Sequence, residues 1–434
     1  MQRSIALFLL GLVIVSIAFH QKPTWLRAHG HHAKDDALLL SSPALHHLAK
    51  AINNDDIRTA SDLFTYADEL RFLKAPNPSL LLKEMQHENA MRLKDSSFLQ
   101  GEKLSILTYN VGLLDVQLLG YIDYAKTPYL NERRQQLPKL IFEQAKDIIF
   151  LQEVWQEEDV LYFGKIASEN GYKSFIGPRD NYNDGLITFV KKNILGPDFL
   201  FHAEPFVSQN SFEFFPGPQI LRGFHHITIY HPRLGTLHLC NAHLLAWPQK
   251  WDIRMEQARE ITLYTSQNSR SEDLVFIAGD MNSGPYYKND SWTMPDQTIV
   301  SDWWKNAIAY AIFLHYGDLN DLSAMGRPAD QASSDVDLAN NFTNNITAWC
   351  KNTPHVVFTA TDCNNLYEKQ YKGTEYPARL DHIFARDLQR RIAVQKSGLL
   401  FTNKHRFTTH LSIEPSDHYG VFVDLSVKKI SKDV

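Results

Sequence analysis

Carboxylate, amide and imidazole side chains recur in this 434-residue chain at one kind of place, the point where a short apolar run ends. Asn110 closes LSILTYN, Glu153 closes DIIFLQE, and Asp280 and Asn282 close LVFIAGDMN. His243 follows TLHLCNA, Asp381 stands in RLDH, and Asp417 and His418 open the last apolar run in PSDHYGV. Oxygen donors of this kind suit hard cations such as Mg²⁺, whereas zinc favours nitrogen and sulfur. A histidine near its ordinary pKa of about 6.5 takes a proton from water or gives one to a leaving oxygen. Asp381 and Asp417 are the carboxylates available to orient the two histidines. Metal, acid, base and amide donors together equip a site for displacement at phosphorus, where positioning and charge neutralisation dominate. Taken singly, each group has a plainer reading. A strand-end Asn is usually a turn residue, Gly-Asp is a common turn pair, and His225, His226, His231 and His238 read as strand-surface or core histidines. The information lies in the ordered combination.

Such groups meet only if the elements bearing them end at a common edge. LSILTYNV, DIIFLQEV, LITFVKK, HHITIYH, TLHLCNAHL, LVFIAGDMN, LDHIFAR and YGVFVDL read as strands, and Leu130 to Gln144 and Lys250 to Ser266 have helical spacing. Strands with interspersed helices and polar residues at strand ends predict a layered α/β sandwich. Residues 285–376 are poor in strand signals and read as a partly helical insertion containing Trp303, Trp304, Ile308, Ile312, Phe313, Leu314 and Tyr316. Two apolar stretches, SFEFFPGPQILRGF (Phe212, Phe214, Phe215, Phe224) and WWKNAIAYAIFLHY, read either as a membrane-docking surface or as interior packing.

Hydrophobic residues are 44% of the chain and charged residues 21%, the balance of a globular protein. A net charge of −5 offers no global attraction to nucleic acid. Arg3 precedes an apolar run from Ser4 to Phe19, short for a bilayer span and suited to a signal-peptide core. Small residues at Ser16 and Ala18 mark a cleavage site after Ala18, so residues 1–18 are expected to be a signal peptide or an anchor, and the protein to be secreted or extracytoplasmic. Residues 19–102 read as a helical N-terminal extension, with helical spacing from Ile57 to Leu73 ended by Pro76 and Pro78. His29, His31, His32, His46 and His47 lie within it beside Asp35 and Asp36, more in the manner of a solvated stretch than of a metal site. Cys350 and Cys363 are close enough to bond in an oxidising compartment, and Cys240 reads as a buried thiol. Asn341 and Asn345 begin glycosylation sequons.

TYNVG, LQEVW, AGDMNSGP, ARLDHIF and PSDHYGV occur in the order and rough spacing of the deoxyribonuclease I-like, or endonuclease/exonuclease/phosphatase, superfamily, which the chain resembles from Lys103 to about Val427. The resemblance implies a four-layer α/β sandwich of two facing mixed sheets, with the phosphodiesterase domain over residues 103–430. It implies that Asn110 and Glu153 position Mg²⁺ (Mn²⁺ being the alternative), with Glu153 the main ligand and Asp417 beside them. Asp280 and Asn282 would orient the attacking water and the phosphate. His418, held by Asp381, would act as base or transition-state stabiliser, and His243 would protonate the leaving group. Two positions depart from the pattern: His382, where many relatives carry Tyr, and Ala242, where sphingomyelinase-like members often show Thr.

Within the superfamily the motifs lean toward neutral sphingomyelinases. LQEVWQEEDV resembles their glutamate motif, HLLA (His243 to Ala246) their His-Leu-x-Ala segment, and NDGLITFVKKNI their Gly-Leu strand. Ser283 and Gly284 stand where inositol phosphatases carry an aromatic and Arg. The resemblance implies hydrolysis of a phospholipid at a membrane surface, sphingomyelin giving ceramide and phosphocholine. Asp180, Tyr182 and Asp184 are candidates for the cationic headgroup. A secreted deoxyribonuclease I-like nuclease is the alternative, and a non-catalytic binding protein of the same fold a third.

Overall fold

The apolar runs fold into two six-stranded sheets because their residues alternate between two buried faces. Strand β1 (Glu102–Asn110) shows how. Leu104 and Ile106 face the opposite sheet, while Leu107 and Tyr109 face helices. A computed structural model of the chain describes residues 101–118, 122–179, 183–209, 221–284, 291–293, 299–301, 303–324, 359–360, 364, 366 and 378–429. The first sheet holds β1 with β2 (Ile148–Gln152), β3 (Tyr172–Ile176), β4 (Ile187–Lys191), β11 (Ile392–Leu400) and β12 (Gly420–Val427), in the order β11-β12-β1-β2-β4-β3. The second holds β5 (Phe199–Pro205), β6 (Gly223–His231), β7 (Gly235–His243), β8 (Leu274–Asp280), β9 (Asn320–Asp321) and β10 (Asp381–Arg386), in the order β9-β10-β8-β7-β6-β5.

Each sheet is mixed in the same way, with one parallel pair at its centre: β1 with β2, and β7 with β8. Between the sheets lies an apolar layer with Ile106, Phe150, Leu239, Phe276 and Val423. Helices α1 (Leu130–Phe142) and α2 (Glu157–Glu169) cover the outer face of the first sheet. Helices α4 (Trp251–Gln267) and α5 (Ile308–His315) cover the second; a short α3 (Lys192–Leu195) follows β4. The expected four layers are therefore present.

The stretch WWKNAIAYAIFLHY resolves as interior packing where it is described: every residue from Ile308 to Leu314 is buried, and Phe313 stacks on Phe384 of β10 with ring centroids 4.9 Å apart. The chain then enters the second sheet as β9, so this part of the 285–376 segment is built into the core. Phe224 is likewise buried, against Phe206 and Tyr264. The expected leader, the expected N-terminal extension up to residue 100, Asp180, Tyr182, Phe212, Phe214, Phe215, Cys350, Cys363 and the two sequons lie outside the described residues. Among the described residues, no helix is long and apolar enough to cross a membrane.

Candidate active site

Parallel pairing in the middle of each sheet brings strand C-terminal ends to one edge, and the antiparallel strands β10 and β12 begin at that same edge. In the second sheet His243, Asp280 and Asp381 form a lateral row, since Asp280 is in register with His243 on one side and with Asp381 on the other. In the first sheet Asn110 is in register with Gln152, and Glu153 follows one residue beyond. Asn110 joins the two groups: its Nδ2 donates to Glu153 Oε1 at 3.1 Å and to Asp280 Oδ2 at 2.9 Å. Its Oδ1 accepts from the Gly112 backbone at 3.0 Å. Just beneath, the interior turns from hydrocarbon to amide. Gln152 Nε2 donates to Asn241 Oδ1 at 2.8 Å, and Asn241 Nδ2 donates to the Leu151 and Ile187 carbonyls, so a buried Asn stitches the sheets together under the site.

Backbone conformation at the edge is unusual. Glu153 and Asn282 have left-handed φ values of 62° and 46°, which a Cβ disfavours and which cluster at functional sites. Gly112 is required, because a Cβ there would stand 2.3 Å from Asp417 Oδ1. Gly279 is required as well, because a Cβ there would stand 1.8 Å from the Ala242 carbonyl of the neighbouring strand. Asn282 is fixed at both ends: its N–H donates to Asp280 Oδ1 at 2.9 Å and its Nδ2 to the Leu244 carbonyl at 3.0 Å.

The two histidines approach Asp280 from different sides. His418 Nδ1 lies 2.8 Å from Asp381 Oδ2, and its Nε2 lies 3.8 Å from Asp280 Oδ2. His243 Nε2 lies 3.3 Å from the same Asp280 oxygen and 4.0 Å from Glu153 Oε1. Its Nδ1 meets Arg222 Nη1 at 2.6 Å. A guanidinium only donates, so His243 Nδ1 is the acceptor and the ring proton sits on Nε2, facing Asp280.

Burial opposes charge throughout the cluster, and neighbours decide the outcome. For His418 burial disfavours the imidazolium, but Asp381, Asp280 and Asp417 outweigh it and raise its pKa well above the ordinary value. Asp280 is pushed up by burial, yet His418, His243 and the Asn110 amide hold it far below the usual carboxylate range. Burial raises Glu153; His243 opposes the rise and Asp417 adds to it. Asp381 is also raised by burial, against the pull of His418, and its Oδ1 is a buried oxygen with no hydrogen-bond partner. The edge thus gathers carboxylate oxygens of Glu153, Asp280, Asp381 and Asp417, with Asp381 Oδ1 left without a partner, a donor set that fits a hard divalent cation. Asp280, Asp381 and His418 also each offer a ligand atom within 4.8 Å of the others.

All eight sequence-predicted residues, Asn110, Glu153, His243, Asp280, Asn282, Asp381, Asp417 and His418, converge on this edge. Asp184 does not join them. Its Oδ1 accepts from the Leu186 N–H at 2.9 Å and its Oδ2 meets buried His225 at 3.1 Å, so it packs inward instead of facing a headgroup. His226 and His238 are core residues, Nε2 to Nδ1 at 3.0 Å, and burial drives His226 down to about 3. Cys240 is a buried thiol, raised by burial.

Three supporting residues escaped the sequence reading. Arg222 is buried, with its guanidinium 5.7 Å from the Trp155 ring. Arg133 of α1 donates to the carbonyls of Val111, Gly112 and Pro415, tying the Asn110 loop to the His418 loop. Thr359 Oγ1 accepts from the N–H groups of Leu380 and Asp381. Arg222 had one visible signal, a lone charge immediately before an apolar run; Arg133 and Thr359 had none.

A sequence model of the Endonuclease/Exonuclease/phosphatase family matches residues 107–418. Among curated proteins, no sequence matches this chain. Similar solved structures include D. rerio TDP2 complexed with a single-strand DNA product, 19% identical, covering 75% of this chain and 100% of that one, TM-score 0.48. SmcL is 17% identical, covering 75% of this chain and 99% of that one, TM-score 0.48. An endonuclease/exonuclease/phosphatase from Beutenbergia cavernae DSM 12333 is 18% identical, covering 75% and 72%, TM-score 0.44.

Proposed function

Because the chain belongs to the endonuclease/exonuclease/phosphatase family, we propose that it is a metal-dependent phosphoric diester hydrolase whose substrate is a phospholipid, sphingomyelin cleaved to ceramide and phosphocholine. The observation that carries the reaction class is the row His243–Asp280–Asp381 faced across the inter-sheet edge by Asn110 and Glu153. The lipid assignment rests on the motif LQEVW, the segment HLLA and Ser283-Gly284 after GDMN, together with a net charge of −5 that gives a polyanion no general attraction.

Glu153 would hold the cation, Mg²⁺ or alternatively Mn²⁺, with Asp417 beside it. Asn110 supports it through the two carboxylates its amide spans, its own oxygen being engaged by Gly112. When bound, the cation supplies charge neutralisation at the phosphate oxygens. Asp280, kept ionised, accepts the hydrogen bond that orients the attacking water and takes the proton the water sheds as the new P–O bond forms, returning it to His418 Nε2, 3.8 Å away, after the alkoxide has left. Asn282, pinned to Leu244, offers its amide edge to the phosphate. His418, kept protonated by its carboxylates, gives its proton to the departing alkoxide. His243 presents Nε2–H to the phosphate side because Arg222 occupies its Nδ1. This exchanges the roles that family resemblance suggests for the two histidines. Export through residues 1–18, or anchoring through the apolar run 4–19, would bring the enzyme to extracytoplasmic lipid.

The full chain, incubated with sphingomyelin in mixed micelles with Mg²⁺ or with EDTA, tests the reading. Mg²⁺-dependent release of phosphocholine supports it. Degradation of DNA without phosphocholine release keeps the reaction class and overturns the lipid. Loss of neither substrate overturns both.

A further inference from the structure

Two unrelated anomalies meet at Trp247, four residues beyond His243. Among the described residues its side chain is one of six large apolar ones that are exposed, at 44%. Its backbone has φ 74° and ψ 124°, a combination that residues with a Cβ rarely occupy and that persists only where the surroundings over-determine it.

Those surroundings are identifiable. Buried Arg254 of α4 donates from Nη1 to the carbonyls of Leu245 at 3.0 Å and Trp247 at 2.6 Å, and from Nη2 to Asn306 Oδ1. The Lys250 N–H donates to the same Trp247 carbonyl at 3.0 Å, and the Leu245 N–H donates to Gln257 Oε1 at 2.8 Å. One turn earlier, the Leu244 N–H donates to the Asp280 carbonyl at 3.0 Å and the Leu244 carbonyl accepts from Asn282 Nδ2. The segment 244–247 is therefore fastened at one end to the catalytic strand ends and at the other to a buried arginine. Pro248 further restricts the residue before it. Stability alone would favour glycine at 247, which adopts this conformation without steric cost and leaves no ring in water. The chain instead places an indole there, the side chain that settles best between hydrocarbon and water.

We propose that Trp247 is a substrate-contacting residue on the rim of the catalytic site, which engages the apolar part of an aggregated lipid and sets the enzyme's hold on the lipid surface. The proposal rests on the lipid reading of the site and goes beyond it by assigning the contact to one residue outside the catalytic cluster.

The test compares wild type with Trp247→Ala, Trp247→Gly and Trp247→Phe in the full chain. Three readouts are hydrolysis of sphingomyelin in sphingomyelin/phosphatidylcholine vesicles, hydrolysis of soluble bis(p-nitrophenyl) phosphate, and thermal unfolding. On vesicles, Trp247→Ala and Trp247→Gly should lose at least about tenfold in kcat/KM, mainly through KM, and Trp247→Phe should recover most of it. Turnover of the soluble diester should be unchanged. Trp247→Gly should unfold at a higher temperature than Trp247→Ala, because it alone relieves the strained backbone. An equal loss on both substrates, or no loss on vesicles, overturns the proposal. A loss confined to DNA hydrolysis overturns it in favour of a nucleic-acid contact. Flotation with the same vesicles in EDTA reads the contact without turnover: weaker flotation of Trp247→Ala supports the proposal and equal flotation refutes it. A wild type that floats but hydrolyses no diester would sink the catalytic reading while leaving Trp247 decided.

Discussion

Asp381→Asn removes one charge beside His418 and changes almost no volume. The pair is buried and close, Nδ1 to Oδ2 at 2.8 Å, while the remaining carboxylate of Asp280 stands 3.8 Å from Nε2. At an effective dielectric of about 20, unit charges at these separations attract by about 6 and about 4 kcal/mol. Only part of the first figure survives as a net loss, since both groups have already given up hydration. Breaking one side of a buried pair typically costs about 3–5 kcal/mol. If His418 acts as the protonated group, that loss falls on the transition state and lowers kcat by about 10²- to 10⁴-fold.

The pH profile separates this account from general damage. In the wild type His418 is raised well above its ordinary value, so activity that needs the imidazolium persists into alkaline solution and falls as pH rises through the raised pKa. Without Asp381 the descending limb should move to lower pH. The assay is initial-rate hydrolysis of a soluble diester from pH 5 to 10, with circular dichroism to confirm the fold. Thr359 holds the Asp381 backbone and is untouched by the change, so the strand should stay in place. A variant with an unmoved alkaline limb, or a loss under about tenfold, would refute the assignment of His418 as the proton donor.

Two further outcomes follow from burial and packing. Burial raises Glu153, so the folded state holds its proton more tightly than the unfolded state and loses stability as pH rises through the folded pKa; a divalent cation reverses this loss, and protons compete with it. Mg²⁺ should therefore raise the melting temperature more at pH 8 than at pH 5, by about 2.7 kcal/mol of stability at a hundredfold excess over its Kd, and Glu153→Gln should abolish the shift; equal shifts at both pH values would refute the site. Phe313→Ala should cost about 3–5 kcal/mol in urea unfolding, because Phe313 is fully buried against Phe384; a cost under about 1 kcal/mol would place α5 outside the core.

What could be read from sequence was what depends on local period and on strand ends. The eight apolar runs that read as strands all fold as strands, and the candidate site residues sit at the ends of those runs, Asp381, Asp417 and His418 where a run begins and the others where one stops, because a strand's end is where its side chains leave the core. Strands such as β3 and β5 escaped: YKSFI and FLFHAEP are brief and only partly buried, so their alternation is weak. Helix α2 escaped because its first turn is the acidic run that completes the glutamate motif, which drew attention to chemistry instead of to helix-starting charge. The apolar run of α5 was ambiguous for a definite reason. A helix apolar on all sides has no amphipathic stripe to tell interior from membrane surface, and only the contact with β10 decides.

The residues that hold the site together were illegible for a different reason. A catalytic edge is built from loops, and loops leave carbonyls that no ladder satisfies. Here buried arginines answer them: Arg133 reaches four carbonyls, those of Val111, Gly112, Pro128 and Pro415, and Arg254 two in the His243 loop. The planar fork of arginine meets several acceptors at once, and its partners are set by the fold alone. Arg133 and Pro415 are 282 residues apart in the chain. No spacing rule links such positions, whereas the candidate site groups are marked by their own strands. The candidate site residues of this chain are therefore more visible to sequence than the residues that aim them. The same logic separates Arg222 from Trp155, since the motif that displays the tryptophan gives no sign of the guanidinium packed 5.7 Å from its ring.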